Sequence, residues 1–379
     1  MKQGWELKTL GDVCSVQRGL TYSGKDAVDY SSTVVLRATN IDLESSSLVF
    51  DELKYLRDDF EIKDEYELKK DSLLICFSSG SKRHLGKVAL VDNHYKYAFG
   101  GFIGQITPNN NINPKYLFYS LISEDYKSYI AQLTDGVNIN NLKIKDLQSF
   151  QIPIPPLEEQ KRIVAKLDQC FEAIDKAKAN AAKNLENAKE LFQSKLNDIF
   201  SQKGEGWVEK KLGDVCSLEY GKPLPKEDRD PDGLYPAYGA NGIKTRTDKF
   251  LVNGRSIIVG RKGSAGEINY TEDKFWALDV TYYTKFDSNI LDLDFLYYLL
   301  NLLKLPKLAK GVKPGINRND VYAITIQLPP LKEQSKIAIE MKHLGNITNS
   351  LESKYQQELN SLEELKKSIL QKAFEGELI

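Results

Sequence analysis

The segment Gly4-Trp5-Glu-Leu-Lys8-Thr-Leu10-Gly11-Asp12-Val13-Cys14-Ser15 returns near the middle of the chain as Gly206-Trp207-Val-Glu-Lys210-Lys-Leu212-Gly213-Asp214-Val215-Cys216-Ser217. The offset is constant and carries on to Gly19 and Gly221. A second repeat follows each copy. Ile154-Pro155-Pro156-Leu157-Glu158-Glu159-Gln160 matches Leu328-Pro329-Pro330-Leu331-Lys332-Glu333-Gln334. Further on, Glu190-Leu191, Ser194, Leu196 and Phe200 still fall opposite Glu364-Leu365, Ser368, Leu370 and Phe374, without a gap. A fixed internal repeat dictates the architecture before any motif does. The order is globular unit, helix, globular unit, helix. Between the shared landmarks the two globular stretches are dissimilar and unequal in length.

The proline pairs favour an extended entry into a helix start, and Glu158, Glu159 and Glu333 complement the dipole of the first turn. Apolar residues then recur at Ile163, Leu167, Cys170, Ile174, Ala177, Ala181, Leu185, Ala188 and Phe192, and at Ile337, Met341, Leu344, Leu351, Tyr355, Leu362, Leu365 and Ile369. Steps of three and four sustained this long predict coiled-coil seams. A helix of about 44 residues is roughly 65 Å long, more than one small unit can cover. Each helix therefore needs a long partner. The two pairing antiparallel within the chain is the expectation; packing on the home unit or between chains is the alternative.

The short β-branched runs Leu73–Phe77 and 256–259 predict strands, whereas Tyr116–Tyr129 and Phe295–Leu308 have helical periodicity, as does the charged stretch around Glu61-Ile-Lys63. The expected fold is α/β (α+β): globular units at 1–155 and 203–330, and long helices at 156–202 and 331–379, arranged as a pseudo-twofold tandem repeat.

Charge first argues against nucleic acid, because 52 Lys+Arg balance 53 Asp+Glu. The sum hides its distribution. Lys244, Arg246, Lys249, Arg255, Arg261 and Lys262 share their stretch with only Asp248, and Lys304, Lys307, Lys310, Lys313 and Arg318 have no acidic residue between them. The first unit has one compact basic loop, Ser81-Lys82-Arg83-His84-Leu85-Gly86-Lys87. Phosphate contacts need local positive charge, not a positive total. The loops Tyr235-Pro-Ala-Tyr238-Gly239-Ala-Asn241-Gly242-Ile-Lys244 and Gly260-Arg261-Lys262-Gly263-Ser264-Ala-Gly266 combine glycine with aromatic, amide and basic side chains. Such loops suit close approach to phosphates and base edges, although each alone is also plain turn chemistry.

Catalytic signatures are missing. No nucleotide-binding Gly-x-x-x-x-Gly-Lys-Ser/Thr loop is present, and Phe99-Gly-Gly-Phe-Ile-Gly104 has the wrong spacing for a dinucleotide fingerprint. The Pro-Pro pairs precede Leu rather than the aromatic residue of base-methylating enzymes, and the four cysteines and three histidines are scattered. No metal ligand and no catalytic residue is expected. No apolar run approaches the roughly 18–20 residues of a membrane span, and the first residues lack a secretory pattern. The chain is expected to be cytoplasmic, with no membrane partner.

Together, the duplicated Trp-x-x-x-x-Leu-Gly-Asp opening, the duplicated Pro-Pro-Leu-x-Glu-Gln helix start, the matched helices and the loops Tyr235–Lys244 and Gly260–Gly266 resemble the specificity (S) subunit of type I restriction-modification systems. The resemblance covers essentially the whole chain. It implies two target recognition domains spaced by an antiparallel coiled coil, a non-catalytic role, and a bipartite double-stranded DNA target with one half-site per domain. It also implies two methyltransferase (M) subunits and restriction-translocase (R) subunits as partners, with S-adenosylmethionine, ATP and Mg²⁺ held by those partners and no cofactor on this chain. Carried onto this sequence, it places Lys82, Arg83 and Lys87 at DNA in the first unit. In the second it places Tyr238, Asn241, Lys244, Arg246, Arg261 and Lys262 there. The matched loops Gly136-Val-Asn138-Ile-Asn140 and Gly311-Val-Lys313-Pro-Gly-Ile-Asn317-Arg318 add Lys313, Asn317 and Arg318. A stand-alone bipartite DNA-binding regulator and a coiled-coil scaffold binding only proteins remain the alternatives.

Overall fold

The computed structural model describes residues 2–134, 141–201 and 204–378. They fall into two compact units, Met1–Asn180 with Glu358–Ile379, and Ala181–Gln357. Each unit is framed by a pair of short strands at its point of entry and exit. Glu6–Thr9 pairs antiparallel with Gln151–Ile154, and Val208–Lys211 pairs antiparallel with Thr325–Leu328. The duplicated Leu-Gly-Asp follows each entry strand as a single helical turn. Leu10 and Leu212 are buried beneath it. Asp12 closes the first turn by accepting the Thr9 amide at 2.9 Å and hydroxyl at 2.6 Å, and Asp214 accepts the Lys211 amide at 3.1 Å. Bonds to the ionised carboxylate hold the Asp12 pKa below its ordinary value.

Inside the frames, sequences that do not resemble each other share a core topology, to which the first unit adds the strand Ala27–Val28 beside Lys54–Leu56. In the first unit an antiparallel sheet runs Cys14–Arg18, Ile103–Pro108, Leu73–Cys76, Val88–Leu90. In the second the order is Cys216–Tyr220, Thr281–Phe286, Ser256–Gly260, Ile268–Thr271. A further sheet centres on Thr33–Leu36, antiparallel to Lys54–Leu56 and parallel to Tyr97–Phe99. Its counterpart centres on Tyr235–Gly239, antiparallel to Gly242–Thr247 and parallel to Trp276–Ala277. The stretch Tyr235–Lys244, expected to be a loop, is thus mostly hairpin, with only Ala240 and Asn241 at its turn. The class is α+β.

The two expected short helices are interrupted. The first is Pro114–Ser120 followed by Glu124–Thr134, the Ser123 hydroxyl turning back onto the Ser120 carbonyl at 2.7 Å. The second ends at Leu302, beyond which Lys304 takes a left-handed conformation (φ 50°) and Pro306 cannot extend the helix. The stretch Glu61–Lys63 is not helical, and Lys63, in extended backbone, leads into one 3-10 turn, Asp64–Tyr66. Its charges alternate without a continuous apolar face to bury.

The long helices run Leu157–Ser201 and Leu331–Glu375. The glutamine of each Pro-Pro-Leu-x-Glu-Gln start is fully buried and makes three bonds. Gln160 accepts the Asn113 amide at 2.8 Å and donates to the carbonyls of Asn111 and Pro155. Gln334 accepts the Asp292 amide at 2.9 Å and donates to Ile290 and Pro329. Asn113 and Asp292 in turn cap the next helix, at Tyr116 and Phe295. The motif is a clamp that fixes where the long helix starts against the body of the unit.

Within the first unit, Ile163, Leu167, Phe171 and Ile174 share a core with Leu370 and Ala373. Asp175 pairs with Lys366 at 3.0 Å and Lys178 with Glu363, so the two helical segments run antiparallel. Within the second unit, Leu196 shares a core with Ile337 and Met341, Lys195 pairs with Glu340 at 3.2 Å, and Phe192 lies against Gly345. Leu365, expected in the seam, is 46% exposed; Leu370 and Ala373 take the buried positions.

Candidate nucleic-acid interface

In the second unit the strand Ser256–Gly260 runs into a tight loop closed by the Gly266 amide donating to the Gly260 carbonyl at 2.7 Å. Gly266 has φ +84°, and a Cβ there would lie 2.4 Å from the Pro306 nitrogen, so no other residue fits. A second loop, closed by reciprocal bonds between Lys310 and Gly315 at 2.9 and 3.0 Å, zips onto it. Gly263 donates to the Pro314 carbonyl and Ile316 to the Arg261 carbonyl. This brings Arg261, Lys262, Lys313, Asn317 and Arg318 onto one edge. Lys262 and Lys313 are exposed, and Val312 between the lysines of the second loop is wholly so. Asn317 caps the short helix Arg318–Tyr322 by accepting the Asn319 amide at 2.9 Å.

The two arginines converge on an aromatic ring. The Arg261 guanidinium carbon lies 5.4 Å from the ring centre of Tyr220, and that of Arg318 lies 4.9 Å from it. Tyr220 is 48% exposed. Arg261 Nε and Nη2 both donate to the Asp279 carbonyl, at 3.0 and 2.6 Å. The turn Ala240-Asn241 abuts the same edge, since a Cβ on Gly260 would fall 2.8 Å from the Ala240 carbonyl oxygen. Asn241 and Lys244 are exposed beside it. Two expected residues are not presented there. Tyr238 is buried, edge-on to Phe275 at 5.8 Å, and Arg246 turns back to donate to the carbonyls of Gly233 and Leu234.

In the first unit the strand register and loop bonds pair Cys76 with Gly260 and Gly86 with Gly266, the Gly86 amide donating to the Cys76 carbonyl at 2.9 Å. The loop between Cys76 and Gly86 is therefore longer than that between Gly260 and Gly266. The counterparts of Arg261 and Lys262 are Phe77 and Ser78. Phe77 donates to the Phe102 carbonyl and accepts the Leu142 amide, as Arg261 donates to Val280 and accepts the Ile316 amide. Arg18 lies 4.8 Å from the Phe77 ring centre and donates through Nη2 to Asn141 Oδ1 and the Leu142 carbonyl, both at 2.8 Å. The Ser78 hydroxyl donates to the same Asn141 oxygen at 2.7 Å. Phe102 stands 70% exposed beside a hollow of about 300 Å³ shared with Tyr22 and Arg37.

Lys82, Arg83 and Lys87 lie along another hollow, of about 480 Å³, with Glu44 and the helix Glu124–Thr134. Their charges are partly spent. Lys82 donates to the Thr134 carbonyl at 3.0 Å, Arg83 pairs with Glu44 at 2.7 Å, and Lys87 donates to the Ile41 carbonyl at 2.6 Å. Burial lowers the Lys87 pKa. The loop Gly136–Asn140 lies outside the described residues. Arg18 and Tyr220 carry no motif of their own, yet a signal was available: each immediately precedes the last shared glycine of the opening repeat.

Among the described residues no cluster of His, Cys, Asp and Glu could hold a metal, and no helix is long and apolar enough to cross a membrane. What the chain has instead is two like-built edges rich in arginine, amide and aromatic groups. The family model for the type I restriction modification DNA specificity domain matches residues 2–184 and again 204–361. The chain belongs to this family. Its two matches coincide with the two copies of the internal repeat. Among curated relatives of this specificity-domain chain, the type I restriction enzyme StySPI specificity subunit of Salmonella potsdam is 27% identical over all of this chain and 90% of its own length. The EcoKI specificity subunit of Escherichia coli K12 is 26% identical with the same coverage. In fold, the chain is similar to one from a type I R-M system solved for its complex assembly and conformational transition (TM-score 0.82, 21% identity, covering 100% of this chain and 99% of that one). It is also similar to the HsdS subunit of Thermoanaerobacter tengcongensis (TM-score 0.67, 21% identity, covering 100% and 98%).

Proposed function

We propose that the chain is the DNA-recognition component of a type I restriction-modification complex. It is the non-catalytic specificity subunit, with one half of a bipartite duplex target read by each β-rich unit. The observation that carries this is the pairing of two family matches with two units of one core topology, each presenting an arginine–aromatic edge. In this reading residues 1–155 and 203–330 are the recognition domains. Residues 156–202 and 331–379 form the spacer that sets the unread gap and offers near-neutral faces to two methyltransferase subunits. Restriction-translocase subunits join for cleavage, and S-adenosylmethionine, ATP and Mg²⁺ belong to those partners. The work is done in the cytoplasm, where the host chromosome is protected and incoming DNA is cut.

Long-read methylation mapping in a host carrying this chain with its methyltransferase tests the reading. A bipartite methylated motif supports it. A chain that binds specific duplexes alone, with no methylated motif and no co-purifying methyltransferase, would make it a stand-alone regulator instead. Inserting four residues into both long helices adds roughly 6 Å and is expected to widen the gap by about two base pairs. An unchanged gap would remove the spacer role.

A further inference from the structure

Arg18 and Tyr220 occupy one position in the two units. Each closes the strand that follows the duplicated Leu-Gly-Asp-Val-Cys-Ser, at Cys14–Arg18 and Cys216–Tyr220. Each is followed by a glycine held against backbone, since a Cβ on Gly19 would lie 2.3 Å from the Phe99 carbonyl oxygen and one on Gly221 would lie 2.1 Å from that of Leu278. Phe77 and Arg261 occupy a second common position, fixed by the matched backbone bonds described above. Between the units the cation and the ring have exchanged places. Arg18 sits over Phe77 in the first, and Arg261 sits over Tyr220 in the second. The order of the pair reverses, and the outcome is the same: a guanidinium braced on an aromatic face at the edge of the central sheet.

The bracing is directional. Arg18 spends Nη2 on Asn141 and Leu142, and Arg261 spends Nε and Nη2 on the Asp279 carbonyl. Among the described residues neither makes a hydrogen bond through Nη1. A partly exposed cation–ring contact is worth only about 0.5–1 kcal/mol, too little to explain by itself why both edges carry one. Its larger effect is to hold the remaining N–H donors in one orientation, so that less side-chain freedom is lost on binding. Arg261 keeps an N–H on each of Nη1 and Nη2, a fork that matches the O6 and N7 acceptors of guanine in the major groove, whereas Arg18, with both Nη2 hydrogens used, offers Nη1 to single acceptors. Phosphate is the other bidentate partner, but the neighbours divide the work. Lys262 and Lys313 stand exposed on long stems suited to the backbone, whereas Arg18 is grouped with a serine hydroxyl and an asparagine amide.

We propose that Arg18 and Arg261 are the specificity-determining residues of their units, Arg261 reading a guanine through its fork and Arg18 donating through Nη1 to a base-edge acceptor in its own half-site, with Phe77 and Tyr220 as positioning residues. The proposal rests on the reading of the chain as a DNA specificity subunit. The test is methylome sequencing of hosts carrying the methyltransferase with the wild-type chain, Arg18→Lys, Arg261→Lys, Tyr220→Phe or Tyr220→Leu. Lysine keeps the charge and loses the planar, ring-braced N–H donors. The wild-type motif is expected to contain a guanine in the half read by the second unit. Arg261→Lys should lower discrimination for that guanine about tenfold or more and leave the other half intact, and Arg18→Lys should lower discrimination at one base of the other half alone. Tyr220→Leu should relax the same base as Arg261→Lys, and Tyr220→Phe should not. Each variant's melting temperature and co-purification with the methyltransferase separate this from misfolding. An unchanged motif in both lysine variants, or an equal fall at every site, overturns the proposal and leaves the specificity-subunit reading standing. A wild-type chain that directs no bipartite motif overturns both.

Discussion

Gln334 accepts the backbone amide of Asp292 at 2.9 Å, and Asp292 is the residue that caps the helix Leu293–Leu302. One buried amide side chain thus joins two helix starts. Gln334→Leu is expected to leave one donor and two acceptors without partners and to cost roughly 2–4 kcal/mol, read as a fall in urea midpoint. Gln160→Leu should behave alike, because Gln160 makes the same three bonds. Glutamate should not rescue either site, because a carboxylate cannot donate to the Pro155 or Pro329 carbonyl.

The glycines that extend the opening repeat are steric requirements. Gly19→Ala and Gly221→Ala each force a methyl group against carbonyl oxygens, and a loss of about 1–3 kcal/mol or more is expected. Gly24→Ala is the control, since a Cβ there meets nothing within 4 Å. Thermal unfolding of the three variants checks the contrast.

Burial pushes the thiols of Cys14 and Cys216 up to about 12 and raises that of Cys76 despite the nearby Lys87. Thiolate is the reactive form, so at about pH 8 these three should resist iodoacetamide in the folded protein. Cys170, on the partly exposed flank of its helix, should take one label. Intact-mass analysis before and after denaturant counts them; native labelling of Cys14 or Cys216 would contradict the burial.

Salt dependence separates the lysines. Lys262→Gln and Lys313→Gln are expected to weaken binding equally on every duplex and each to lower the salt slope by about one. Lys87→Gln should leave the slope unchanged, because its ammonium is committed to the Ile41 carbonyl and partly desolvated. Titrations of the assembled methyltransferase across salt concentrations give the slopes.

The duplication, the helix starts and the α+β class were legible because they depend on local signals: proline pairs, three-four spacing and short β-branched runs. The common topology inside the frames was not. Strand pairing is non-local, and Leu73–Cys76 and Ser256–Gly260 share no residue identities that would align them. Gly80 and Gly86 are spaced as Gly260 and Gly266 are, yet the strand register sets Cys76, not Gly80, opposite Gly260. The basic loop Lys82–Lys87 drew attention by composition, although three of its donors are turned onto carbonyls or Glu44. Arg18 drew none, because a lone arginine at a strand end has no pattern until Phe77, far away in sequence, is placed beneath it.

The strands Glu6–Thr9 and Gln151–Ile154 lie side by side, as do Val208–Lys211 and Thr325–Leu328. The chain therefore enters and leaves each unit at one clasp, and everything between is a cassette. Such a cassette can be lengthened, shortened or traded for another without moving its neighbours, provided that its two ends still meet. That freedom accounts for how one chain keeps matching joints while its two interiors are dissimilar. New recognition can then arise by exchange of a whole unit, at once and without loss of assembly.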